Sequence, residues 1–152
     1  MSVNPIQAIE SSDYFANVTF AGLQLLIPQS DIYSLEPTVD MTPCLDAIGA
    51  VGQLQQGNEV WSLYALSSDL SLLDRCPDSY RIAVLLKNVK PLYGLLCEQI
   101  DSLARNQISI HPVPTAMRNP KSPLLALALH GEEIRYISSA SALTRLFPMT
   151  NG

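Results

Sequence analysis

The segment LLALALHGEEIRYI, residues 124–137, limits the possible folds more than any other stretch of this chain. Its first arm alternates. Leu125, Leu127 and Leu129 share one face, and Leu124, Ala126 and Ala128 share the other. A period of two belongs to a strand; a helix face repeats every 3.6 residues. His130-Gly131 supplies a turn, because glycine adopts positive φ at no steric cost. EIRYI then returns as the second arm of a hairpin. The small residues on one face predict close approach by another element.

Short apolar runs broken by turn residues recur along the chain. Val18–Phe20 and Leu23–Ile27 flank Ala21-Gly22, a two-residue hairpin connection. Pro28 ends that pairing, since proline cannot donate to a ladder. Residues 29–35 read as a short turn or strand, and 42–49 as a loop with one helical turn. Gly49, Gly52 and Gly57 punctuate the next stretch of chain. In EVWSLYAL, residues 59–66, Trp61, Leu63 and Ala65 oppose Val60, Ser62, Tyr64 and Leu66. Two largely apolar faces suit a strand of a small closed barrel. RIAVLLK and PLYGLLCE form a further hairpin turning near Asn88. QISI, residues 107–110, is a short strand closed by His-Pro-Val-Pro. SSASALTRLF, residues 138–147, predicts a closing helix capped by Ser138 or Ser139, with Ala142, Leu143 and Leu146 as its apolar stripe. The fold class is mostly β with a C-terminal helix. Residues 1–13 read as a flexible arm, 14–147 as the folded domain and 148–152 as a tail.

Charged residues make up only 15% of the 152, against roughly 25% in an average soluble domain. So little charge predicts a residual apolar patch of the kind that marks a partner site. The net charge of −5 argues against nucleic acid and against an anionic membrane surface. No apolar run approaches the roughly 18 residues of a membrane helix. The first fifteen residues carry neither a basic residue nor an apolar run, which predicts a cytoplasmic protein with no secretory signal. Cys44, Cys76 and Cys97 are odd in number and far apart, as expected of free thiols in a reducing compartment.

Chemistry-bearing motifs are sparse. His111 precedes a proline and His130 sits in a turn; neither has a partner at metal-ligand spacing. Glu132-Glu133 reads as a solvated hairpin tip, and Asp69 and Asp74 as part of a polar connection. The expectation is a chain without catalytic residues, metal or cofactor.

The order of the pieces resembles the CheW-like domain, an adaptor fold of bacterial chemotaxis, from about Tyr14 to Phe147. FAGLQLLIP resembles that family's opening hairpin. Residues 28–35 resemble a segment in which branched aliphatics recur at spacing three. Leu92–Glu98 resembles a glycine-aliphatic strand ending in an acid, with Ile100 and Leu103 continuing it. Ile110–Pro114 resembles an Ile-x-Pro-x-Pro exit, and the last hairpin and helix also match. The middle departs: where the family carries an Asn-Leu-Arg-Gly turn, this chain has Gln55-Gln56-Gly57-Asn58 and no arginine.

The resemblance implies two small five-stranded SH3-like β-barrels packed together. It implies a non-enzymatic scaffold bridging a CheA-type histidine kinase to the cytoplasmic tip of methyl-accepting chemoreceptors. The alternatives are the type IV pilus or twitching-motility branch of the family, or a stand-alone SH3-like interaction module. Partner-contact residues implied by the resemblance are Ile32, Leu35, Ile100 and Leu103 in a groove between the barrels. Gly52, Gln55, Gln56 and Gly57 are implied around the central turn. The two segments FAGLQLLIP and LYGLLCE are then barrel strands, and Gly94 marks a close backbone approach.

Overall fold

The computed structural model describes residues 9–44 and 47–148. The described residues form eleven strands in two sheets. β1 (Tyr14–Phe20) and β2 (Leu23–Pro28) begin the first sheet, and β3 (Ile32–Pro37), β4 (Gly52–Gln56), β5 (Glu59–Tyr64), β6 (Ile82–Leu86) and β7 (Tyr93–Cys97) make the second. The chain then returns to the first sheet with β8 (Gln99–Ala104), β9 (Ser109–His111), β10 (Ala126–His130) and β11 (Glu133–Ile137). The first sheet runs β8-β1-β2-β11-β10-β9 and the second β3-β6-β7-β5-β4. The second sheet has the five strands expected. The first has six, because the three-residue β9 adds to its edge.

Both sheets curl. Five strand spacings of about 4.8 Å would hold the edges of a flat six-stranded sheet about 24 Å apart. Yet those edges, β8 and β9, are joined by residues 105–108, a link of about 17 Å even when fully extended. The 3-10 turn Arg105–Gln107 shortens it further. In the second sheet the seam closes between β3 and β4. Thr42 and Gln53 exchange backbone hydrogen bonds of 2.9 and 2.8 Å, and Gln56 Nε2 donates to Glu36 Oε1 at 3.0 Å.

β1 and β2 lie between two cores. Phe15 and Leu26 point into the six-stranded barrel with Leu103, Ile108 and Ile137. Their neighbours Ala16, Val18, Leu25 and Ile27 face the larger core, which fills the second barrel and the space between the two. This explains why the opening hairpin is apolar on both faces. Ile9 is completely buried in the smaller core. The arm expected over residues 1–13 therefore does not extend to Ile9, and residues 1–8 lie outside the described residues. Of the expected 148–152 tail, only Pro148 is described.

Local details correct the sequence reading by small shifts. The β1–β2 turn is Ala21-Gly22, with φ of 51° and 81°. The last hairpin turns at Gly131-Glu132 instead of His130-Gly131, since His130 pairs with Glu133. β4 is a strand where only glycine punctuation was evident, so Gln55 and Gln56 are strand residues and the turn proper is Gly57-Asn58. Ile100 and Leu103 lie on β8, a strand of the other sheet, and do not continue β7.

The closing helix α1 (Ala140–Leu143) is short and tightens into a 3-10 turn, Thr144–Leu146. Ser139 caps it, accepting from Ala142 N at 3.0 Å, while Ser138 donates to Pro123 O instead. Asp31, at the end of the 3-10 turn Gln29–Asp31 that links the two sheets, accepts from Ala140 N at 3.0 Å. Trp61 is core, as expected; it is 2% exposed and donates to Leu86 O at 2.9 Å.

Buried protons give the fold a pH signature. Burial pushes the Cys97 thiol up to about 12 and lifts the Tyr93 hydroxyl well above the usual phenol range. In the unfolded chain both return to ordinary values, about 8.5 and about 10. A group with a raised folded pKa keeps its proton longer in the native state. Its contribution is complete below the unfolded pKa and is lost as pH rises toward the folded one. Urea-unfolding midpoints are therefore expected to fall steadily above about pH 9. Cys97 should react with a thiol reagent only as the protein unfolds. A midpoint unchanged up to pH 11 would contradict this account.

Candidate functional site

The sequence places Ile32 and Leu35 three apart, and Ile100 and Leu103 three apart. In a regular strand, residues three apart face opposite ways. β3 is not regular. Ile32 pairs with Leu86 but Ser34 pairs with Leu85, so Tyr33 is an extra residue in a β-bulge. The bulge shifts the alternation by one and brings Ile32 and Leu35 to the same side. Tyr33 turns instead to stack on Trp61, with ring centroids 4.8 Å apart. β8 has no such break; it pairs with β1 in unbroken register from Tyr14↔Ala104 to Thr19↔Gln99. Ile100 opposite Val18 and Leu103 opposite Phe15 therefore point to different sides.

The outcome is a depression of about 310 Å³ between the sheets. Ile32, Leu35 and Ile100 line it together. Ile32 and Ile100 are half-buried and Leu35 is 47% exposed. Leu103 does not belong there. It is 8% exposed and packs with Phe15, Leu26 and Ile108 inside the six-stranded barrel. Sequence reasoning misses the rest of the lining: Ala16, Gln29, Asp101 and Ser102. A signal for part of it exists. Ala16 and Ser102 form a cross-strand pair of small residues between bulkier ones, and the hollow lies over them.

The central candidates form a second, separate group. Gly52 is buried opposite Leu63, and a Cβ there would run into the Met41 side chain, so it is a packing residue and not a contact surface. Gln55 is exposed and donates to Gly57 O at 3.3 Å, closing the hairpin tip, where Gly57 has a φ of 61°. Gln56 ties β4 to Glu36, the residue after Leu35. None of the four lines the depression.

His111 is exposed, with Nε2 2.8 Å from Ser109 Oγ. Asp69 accepts from the hydroxyls of Ser67 and Ser71, which hold its carboxyl below the usual range. Among the described residues no three His, Cys, Asp or Glu side chains are grouped to hold a metal ion, and no helix is long and apolar enough to cross a membrane.

No family model matches the sequence, and no curated protein matches it. A solved structure does. The chain superposes on the scaffolding protein TtCheW from Thermoanaerobacter tengcongensis with a TM-score of 0.65, covering 84% of this chain and 88% of that one at 11% identity. At that identity the likeness is one of fold: two curled sheets and a short C-terminal helix, arranged as in CheW.

Proposed function

We propose that this chain is a non-enzymatic adaptor of a chemotaxis-type signalling assembly in the cytoplasm. It bridges a CheA-type histidine kinase to the cytoplasmic tip of methyl-accepting chemoreceptors. One observation carries the reading: an open hollow with Ile32, Leu35 and Ile100 on its walls, set between the sheets of a CheW-like fold. An amphipathic helix binds such a surface by burying its apolar face, and a receptor tip is helical. The β4–β5 tip, where Gln55 and Gly57 are exposed, is the surface for a second partner, although its amides offer no bidentate contact to a carboxylate.

The direct test is a pull-down with purified protein, the kinase's regulatory domain and a receptor-tip fragment. Both should be retained, and retention of neither would refute the adaptor reading. Leu35→Asn sharpens it. Leu35 is 47% exposed, so an amide there stays hydrated and the melting curve should hold. Receptor binding should weaken by about 1–3 kcal/mol, the usual scale for an interface anchor. A folded Leu35→Asn with unchanged receptor affinity removes the groove from the proposal.

A further inference from the structure

A second concavity shares no residue with the groove. Its volume is about 510 Å³, within the roughly 300–1,000 Å³ of small-molecule sites. Strand alternation builds its floor. Ser62 and Tyr64 are two apart on β5 and share a face, and Ser62 pairs with Tyr93 at the start of β7. Trp61 and Leu63 go to the opposite face. The closing segment adds a wall. Tyr93 donates to Ala140 O at 2.5 Å, and Phe147 stacks on Tyr64 with ring centroids 3.9 Å apart. Tyr93 stands edge-on to Phe147, with 4.7 Å between centroids. Ile48, 64% exposed, and the exposed Lys90 complete the lining from two loops.

The polar groups of the cavity fall into two sets. The hydroxyls of Tyr93 and Thr144 are satisfied within the fold, by Ala140 O and Ser141 O. The Tyr64 hydroxyl, the Ser62 hydroxyl and the Lys90 ammonium have no hydrogen-bond or ion-pair partner among the described residues. Tyr64 is only 7% exposed, and it lines this cavity. A phenol hydroxyl so buried normally finds a partner. All three groups can donate, and among the described residues no aspartate or glutamate lines the cavity.

We infer that this cavity binds a small aromatic carboxylate. The ligand ring lies against Phe147 and Tyr64, where offset or edge-on contact with another ring is favourable. The carboxylate accepts from Lys90 Nζ, Tyr64 Oη and Ser62 Oγ. Hydrogen bonds between ionised partners are about twice as strong as neutral ones. The chain's net charge of −5 opposes an anion at long range, but that field is screened beyond about 10 Å at 0.1 M salt. The preference for an anion therefore comes from the three donors. The site stands apart from the adaptor reading and its groove.

The test titrates three compounds into the full chain at neutral pH by isothermal calorimetry: naphthoate, its neutral amide naphthamide, and the aliphatic acid octanoate. Naphthoate should bind at least ten-fold more tightly than either of the others. Lys90→Met, at an exposed position, should bring naphthoate and naphthamide within about two-fold of each other. Tyr64→Phe removes a hydroxyl that bonds nothing in the fold, so the melting curve should hold. Naphthoate should nevertheless weaken by about five-fold or more, the scale of one lost hydrogen bond. Equal affinities of the wild type for naphthoate and naphthamide overturn the anion assignment. Octanoate binding as tightly as naphthoate overturns the aromatic one. A naphthoate preference that survives Lys90→Met, or naphthoate binding untouched by Tyr64→Phe, overturns the placement of the carboxylate. Binding of neither ring compound overturns the cavity as a ligand site.

Discussion

Gly94→Val is expected to destabilise the protein by about 3 kcal/mol or more, at the upper end of overpacking effects. Gly94 is buried in β7, between β6 and β5 in the middle of the second sheet. A Cβ there would stand 2.8 Å from Leu63 Cδ2, 2.8 Å from Val84 O and 3.0 Å from Leu85 Cδ2. The leucine methyls could turn aside. Val84 O cannot, because it belongs to the backbone of β6, which is laddered to β7 and to β3. Valine adds two methyls to a site already closed to one, so the ladder must open. The check is urea unfolding of the wild type, Gly94→Ala and Gly94→Val, with midpoints falling in that order. A Gly94→Val midpoint equal to wild type would mean that β6 and β7 separate at no cost.

Leu103→Asn is expected to cost about 3–5 kcal/mol, because it removes a large apolar side chain from a packed core and leaves an amide with nothing to bond. Leu103 is 8% exposed and shares the smaller core with Ile9, Phe15, Leu26 and Ile108. The same substitution at Leu35 should leave the fold intact and act on binding alone. The contrast separates two residues that the sequence presents as equivalent members of one row. A Leu103→Asn protein that melts like wild type would place Leu103 in the groove after all.

Legibility followed the range of the cause. The hairpins at Ala21-Gly22, Asn88 and Gly131 could be read because alternation and turn residues are local. One apolar face of β5 could be read for the same reason: Trp61 and Leu63, and Ala65 just past its end, are all buried, while Val60 on the other face is 44% exposed. β4 was hidden because GQLQQ carries one apolar residue, Leu54, and is held by pairing with β5 on one side and with Thr42 on the other, neither of which its own pattern announces. β8 was hidden because no turn residue separates it from β7. The chain simply crosses between sheets at Glu98, whose carboxylate accepts from Ala21 N at 3.2 Å.

The groove divides along the same line. The sequence alone determined a mostly β chain of short strands, a serine-capped closing helix and too little charge to cover its surface evenly. All of these follow from side-chain periodicity and composition, which need no partner segment. Only the tertiary structure decided which aliphatics share a surface. The bulge at Tyr33 turns a spacing of three into one face on β3, and the unbroken register of β8 turns the same spacing into two faces. Register is a property of paired strands. No single strand encodes it, so Ile32, Leu35 and Ile100 meet while Leu103 goes to the core.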